Sequence, residues 1–158
     1  MSEFTIRPYR RRDRRAILRI TETSFEGFCL DGNIEDAFGP ISGTTWQERK
    51  RAGIDHDLRQ NPEHTFVAEA DGEPVGYVCT RIYRTTRVGH VANVAVDRRY
   101  QGRGIGKALL RGALEHFRQC GMRYARIETL EQNYRGRSLY PSLGFEEVGR
   151  QVFFFREL

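Results

Sequence analysis

The 158 residues, 39% of them apolar, suffice for one domain (1–158) with a core of its own, because a chain of this length buries about 70% of its unfolded surface. No apolar run approaches the ~18 residues of a membrane span, and the opening MSEFTIRPYR lacks the hydrophobic centre of a signal peptide, so a cytoplasmic protein without membrane contact is expected. The net charge of +5 is mostly arginine, but no stacking aromatics accompany the basic cluster Arg10, Arg11, Arg12, Arg14 and Arg15, which argues for a solvated helix face over a nucleic-acid site.

Phe4, Ile6 and Pro8 begin a short strand. Ala16, Ile17, Leu18 and Ile20 then supply the apolar positions of a helix from about Arg12 to Thr23, with Asp13 as a candidate cap. The segment SFEGFCLDGNIEDAFGPISGTTW has no clear period and reads as an irregular loop or a broken helix. Its carboxylates Asp31, Glu35 and Asp36 either attract a cationic ligand or are ordinary loop acids. Its aromatic side chains Phe25, Phe28, Phe38 and Trp46 are expected on the core. A second helix is expected near Thr45 to Arg59, capped by Thr44 or Thr45 and ended by Asn61-Pro62. Alternation from Thr65 to Ala70, a turn at Asp71-Gly72 and a second run from Pro74 to about Arg84 describe a hairpin, followed by a strand Val91 to Val96. Leu110, Leu114 and Phe117 recur at helical spacing up to about Gln119, where Cys120-Gly121 stops the helix. Tyr124, Arg126 and Glu128 alternate with Ala125, Ile127 and Thr129 in a further strand. A short helix lies within NYRGRSLYPSLGF, and Val148 to Phe155 is expected to form the last strands, either in the core or at a dimer edge.

Cys29, Cys79 and Cys120 are odd in number and form no C-x-x-C pair, and His56, His64, His90 and His116 form no H-E-x-x-H pattern. Neither a disulfide framework nor a metal site is expected; the thiols should be reduced and mostly buried.

The chemistry concentrates in His90 to Leu110. Gly102, Gly104 and Gly106 fall between an apolar strand and an amphipathic helix, so backbone N–H groups feed into a helix N-terminus that an anion can approach closely, with Arg103 and Lys107 adding positive charge. A P-loop is excluded because the position five residues before Gly106 is Gln101 and the residue after Lys107 is Ala108. A dinucleotide turn is excluded because the third glycine position is occupied by Lys107 or Leu109. What remains, Gln101-x-x-Gly104-x-Gly106, resembles the acyl-CoA pyrophosphate loop of the GNAT superfamily of N-acyltransferases. A second stretch resembles the same family: Asn133, Gly136 at a position commonly alanine, Tyr140, then Leu143-Gly144-Phe145.

The resemblance, which covers about Val91 to Phe145, implies a mixed α/β (α+β) fold with a mainly antiparallel sheet of about seven strands and about four helices. It implies acetyl-CoA as co-substrate, without a metal, and acetyl transfer to a primary amine of a small molecule or peptide. Backbone groups of Val94, Ala95 and Val96 would pair with the pantetheine arm in a gap between splayed strands. Gln101, Gly102, Arg103, Gly104, Ile105, Gly106 and Lys107 would hold the pyrophosphate, and Asn133 would fix the arm from the other side. Tyr140, with a reference pKa near 10, would protonate the leaving thiolate. A backbone N–H near Val94 to Val96 would serve the oxyanion. For the base, Glu128, His90 and a water chain stay open, with Asn93 nearby on the same strand. A non-catalytic acyl-CoA sensor is the alternative, the acceptor amine is undetermined, and family members are often homodimers.

Overall fold

The computed structural model describes residues 3–158. Its strands β1 (Phe4–Pro8), β2 (Thr65–Ala70), β3 (Glu73–Tyr83), β4 (Val88–Val96) and β5 (Tyr124–Ile127) lie side by side in the order β1-β2-β3-β4-β5. The first three pairings are antiparallel, and only β4 with β5 is parallel, reached by a crossover through α4 (Ile105–Gln119). The β2–β3 turn places Asp71 and Gly72 at positive φ, 52° and 78°, the pairing that lets a two-residue hairpin follow the right-handed strand twist.

Helices cover both sheet faces. On one side, α1 (Arg14–Ser24) and α3 (Trp46–Gln60) press Ile17, Leu18, Ile20, Ile54 and Leu58 onto Val67, Tyr77, Cys79 and Ala95. On the other, α4 presses Ile105, Leu109, Leu110, Ala113 and Phe117 onto Ala68, Val78 and Val91. Thr45 caps α3 through a reciprocal pair with Glu48, as its Thr-x-x-Glu sequence implies. The arginines at positions 10, 11, 12, 14 and 15 are exposed, as expected of a solvated face. Asp13, expected to cap α1, is instead buried and accepts both guanidinium nitrogens of Arg7 at 2.7 and 2.9 Å together with the Arg10 N–H at 2.7 Å. Burial raises its pKa, but those donors outweigh it and hold the carboxyl below the ordinary range.

One open alternative is resolved and two expectations change. The segment after α1 contains a nine-residue helix, α2 (Leu30–Phe38), because the Cys29 sulfur accepts from the Gly32 N–H and Arg49 ties Asp31 and Glu35 to α3. Phe25 joins the core with Phe28 and Trp46 against it, whereas Phe38 is exposed and stacks edge-on with Phe155 at 5.0 Å. The sheet has five strands where about seven were expected, since Val148 to Phe155 adds none. Side-chain pairing holds that segment elsewhere: Arg150 binds Glu147 and Glu131, Phe155 lies on Phe38, and Val148 is left 97% exposed. No helix among the described residues is long and apolar enough to cross a membrane.

The tightest approach of the two layers is at Gly89 on β4, where a Cβ would fall 2.3 Å from Cγ of the buried Phe117 ring. Gly89→Ala should therefore lower the free energy of unfolding by about 1–3 kcal/mol through overpacking, in spite of alanine's smaller backbone entropy. A chemical denaturation curve shifted to lower denaturant with unchanged slope is the expected readout.

Candidate active site

The site begins with a mismatch between strands. The β4–β5 ladder runs from Val88↔Tyr124 to Val91↔Ile127 and stops, while β4 continues to Val96 paired only with β3. Among the described residues, Ala92–Val96 therefore has no strand on its β5 side. The register explains the divergence: Cys79 faces Asn93 and Thr80 faces Val91, which leaves Ala92 as an extra residue in β4. A bulge bends its strand and increases local twist, turning β4 away from β5 at the point where their pairing ends.

The extra residue also resets which face each side chain takes. Ala95 and Asn93 look toward α3, and strict alternation would send Val91 the same way and His90 into the α4 core. With Ala92 inserted, Val91 enters the α4 core and His90 joins Asn93 on the α3 face.

At the open end of β4, Asp97 accepts the Arg99 N–H at 3.0 Å and pairs with its guanidinium, folding the chain through a 3₁₀ turn, Arg98–Tyr100. Gly102 and Gly104 have φ of 77° and 80°, the left-handed region. Apart from the adjoining residues, no atom of the described residues lies within 4 Å of where either Cβ would be, so strain and not crowding calls for glycine. Gly104 starts α4 without a capping side chain, and its carbonyl takes the Ala108 N–H. The N–H groups of Ile105, Gly106 and Lys107 are thus left without intrahelical partners. The missing side chain at Gly106 opens toward Val96 and Leu139, and the buried Ile105 side chain belongs to the core. Arg103 lies over the Tyr100 ring at 4.9 Å and donates to the Arg99 carbonyl. Gln101 faces inward, donating to the Val96 carbonyl at 3.1 Å and accepting from Arg135. Ser24 donates to the same Val96 oxygen at 3.1 Å, so that carbonyl is committed within the protein.

The opposite wall is α5 (Tyr134–Leu139) with the segment after β5. Asn133 caps α5, accepting the Gly136 N–H at 3.1 Å, and its amide donates to Thr129 Oγ1 at 2.8 Å. A Cβ at Gly136 would fall 2.5 Å from the Asn133 amide nitrogen and 2.7 Å from the Tyr140 hydroxyl, so both polar ends converge over that glycine. Burial raises the Tyr140 pKa, offset in part by a hydrogen bond with Thr129, and the phenol is protonated at neutral pH. Gln132 crosses to α2 and the loop before it, donating to the Gly27 carbonyl at 3.2 Å and to Asn33 Oδ1 at 2.7 Å.

Glu128 lies just beyond the end of β5 and is 59% exposed, with one oxygen 2.8 Å from His90 Nε2 and the other 3.4 Å from Arg126. Glu128 and His90 are therefore a hydrogen-bonded pair. His90 is buried, and among the described residues its Nδ1 is a buried side-chain atom without a partner. Burial lowers the His90 pKa, with the Glu128 carboxylate opposing the shift.

Beside this pair, Lys50 donates to Asn93 Oδ1 at 2.7 Å, the Asn93 amide donates to Asp57 at 3.2 Å, and Arg81 grips Asp57 at 2.6 and 3.1 Å. Lys50 also lies 4.2 Å from the Phe25 ring centroid, and burial lowers its pKa. Neither Lys50 nor Asp57 was singled out from sequence, although Lys50, Ile54 and Asp57 recur at helical spacing on the face that the buried Ile54 and Leu58 define. Asp31 and Glu35, considered as attractors of a cationic ligand, are both engaged by Arg49.

The model of the acetyltransferase (GNAT) family matches residues 32–145. The chain belongs to that family. Among curated GNAT relatives, the N-alpha-acetyltransferase RimI of Mycobacterium tuberculosis is 36% identical over 107 residues, covering 66% of this chain and 66% of that protein. Other curated relatives are matched over 63% and 42% of their length, so the chain spans less than two thirds of these curated relatives. Among solved structures, Ard1 from Thermoplasma volcanium superposes with a TM-score of 0.72 at 25% identity, over 92% of this chain and 84% of that one. The PaiA N-acetyltransferase from Thermoplasma acidophilum, solved with coenzyme A, gives 0.72 at 19% identity over 91% and 90%. The fold of this chain is that of the GNAT enzymes.

A histidine whose folded pKa lies below its unfolded value near 6.5 binds fewer protons when native, so stability rises with pH up to that value and falls on acidification below it. His90→Gln should flatten the pH dependence of unfolding below about pH 6.5. In NMR, the His90 ring should titrate below its ordinary value; titration at or above 6.5 would contradict the burial argument.

Proposed function

We propose that the protein is an acetyl-CoA-dependent N-acetyltransferase in which an amine attacks the thioester directly, in a ternary complex. The observation that carries the reading is the gap itself: β4 parts from β5 after Val91, with partnerless helix N–H groups at its end and a protonated phenol on its far wall. Family membership and the N-alpha-acetyltransferase relatives support it.

In this reading the N–H groups of Ile105, Gly106 and Lys107, backed by Arg103, Lys107 and Arg135, hold the pyrophosphate of the co-substrate. The site fits such a group because Gly106 adds no bulk and Gly102 and Gly104 expose backbone without side chains. The free edge of β4 at Val94 and Ala95 pairs with an extended amide-bearing arm as a strand would. A β4 N–H stabilises the oxyanion. The committed Val96 carbonyl takes no part. Tyr140 donates its proton to the departing thiolate, and the hydrogen-bonded Glu128–His90 pair receives the proton the amine gives up. Asn133 positions Tyr140 through the cap of α5. The acceptor to test first is the α-amine of a peptide, since proteins named N-alpha-acetyltransferases are among the relatives in sequence.

Acetyl-CoA at one hundred times its Kd should add about 2.7 kcal/mol of stability, raising the unfolding midpoint by about 5–10 °C, with NADH and ATP inert. Absence of a shift at saturating ligand would remove the cradle assignment. Tyr140→Phe should lower kcat on the order of 10²-fold with KM for acetyl-CoA nearly unchanged. Unaltered turnover would take Tyr140 out of the mechanism, and a ligand shift without turnover on any amine would favour a sensor.

A further inference from the structure

The far end of α4, one helix length from the cradle, gathers a second set of reactive groups. His116 and Cys120 stand four residues apart, one turn, and His64 faces them from the 3₁₀ turn Pro62–His64 that precedes β2. His64 Nδ1 lies 2.9 Å from His116 Nε2, and Cys120 Sγ lies 3.6 Å from the same nitrogen. One ligand atom from each of the three falls within 4.8 Å of the others, and all three residues are partly buried.

The surroundings hold these side chains in place. The His116 ring packs edge-on against Phe66 at 5.0 Å, and the His64 carbonyl accepts from Thr80 Oγ1 at 2.7 Å, pinning the turn to β3. Glu63 lies 3.5 Å from His64 Nε2, the ring nitrogen not used toward His116. A carboxylate on the outer nitrogen of a histidine is the arrangement that orients metal-binding imidazoles. Cys29 and Cys79 are buried on the other face of the sheet, and Cys79 is pushed up to about 12 by burial, so Cys120 is the accessible thiol.

We propose that His64, His116 and Cys120 bind a zinc-class divalent cation with the fourth position open. Two imidazoles and a thiolate form a borderline-soft tetrahedral set. Bond lengths of about 2.0 Å to nitrogen and 2.3 Å to sulfur place a tetrahedral N···S pair about 3.5 Å apart and an N···N pair about 3.3 Å apart. Toward His116 Nε2 the sulfur already meets this spacing, it lies within 4.8 Å of the His64 ligand atom, and the two rings, 2.9 Å apart, need to separate by a few tenths of an ångström. On binding, Cys120 loses its proton to solvent and the imidazole that donates across the 2.9 Å contact moves its proton to the outer nitrogen. The ion joins the turn before β2 to the last turn of α4. The set is not visible in sequence spacing, because His64 is 52 residues from His116 and a His-x-x-x-Cys pair is not a recognised metal-site pattern.

Cobalt(II) titration of the full chain tests the proposal. One equivalent should give the intense visible bands of a tetrahedral site and a near-ultraviolet thiolate-to-cobalt band, both displaced by zinc. Cys120→Ser should abolish the thiolate band, and Glu63→Gln should weaken binding by about 10-fold or more. In the unsubstituted protein, zinc should protect Cys120 from alkylation, located by mass spectrometry, and raise the unfolding midpoint. A weak octahedral cobalt spectrum, a thiolate band that survives Cys120→Ser, or alkylation unaffected by zinc would each overturn it.

Discussion

A single extra residue in one strand, Ala92, is the constraint on which the rest of the site depends. It ends the pairing of β4 with β5 and exchanges the faces of everything before it, so that Val91 fills the α4 core while His90 turns toward α3. Without the insertion the two strands would have reason to stay together and the gap would close. A buried imidazole would also lie against Phe117, where no polar partner waits. One backbone irregularity thus creates both the opening and the polar wall beside it.

The two sheet faces divide the electrostatics. Between the His64–His116–Cys120 cluster at its far end and its first turn, the α4 face is apolar, and at that first turn the helix presents N–H groups without intrahelical partners, with cationic side chains beside them. The α3 face carries charge into the interior: Lys50, Asn93, Asp57 and Arg81 form a chain of hydrogen bonds from α3 to β3. Asp57 is only 3% exposed, and two nitrogens of Arg81 and the Asn93 amide satisfy it. Removing Arg81 would leave a buried charge uncompensated. Much of the arginine excess is absorbed in this way, in pairs such as Arg7 with Asp13 and Glu69 or Arg49 with Asp31 and Glu35. Arg103 forms no carboxylate pair among the described residues, so its charge is available to an anion at the helix end.

What the sequence made legible was local chemistry. The hairpin, α3 with its Thr45 cap and the end of α4 at Gln119 follow from periodicity and backbone sterics within a few residues. The family likeness supplied the pairing of motifs. What stayed hidden was non-local. Helix α2 depends on Arg49, far along the chain; the bulge at Ala92 appears only when β3 is laid beside β4; and the Glu128–His90 bond needs β5 in register. The apolar run Val152 to Phe155 reads as a strand in isolation, but its position is set by Arg150 and Phe38 outside it.

Asn133 illustrates how a motif residue serves through structure. Both ends of its amide are committed, the oxygen to the α5 cap and the nitrogen to Thr129, and a cap of this kind contributes about 1 kcal/mol. Helix α5 has only six residues and holds its place through that cap, the Arg135–Gln101 bond to the turn and the approach of Leu139 to Gly106. Tyr140 follows directly after α5, so its hydroxyl is located by these three attachments, and it and the Asn133 amide both occupy space that a side chain at Gly136 would take. Alanine there would suit a helix better, but both polar groups would have to move aside. The glycine gives up local helix stability so that the phenol and the capping amide can share one space.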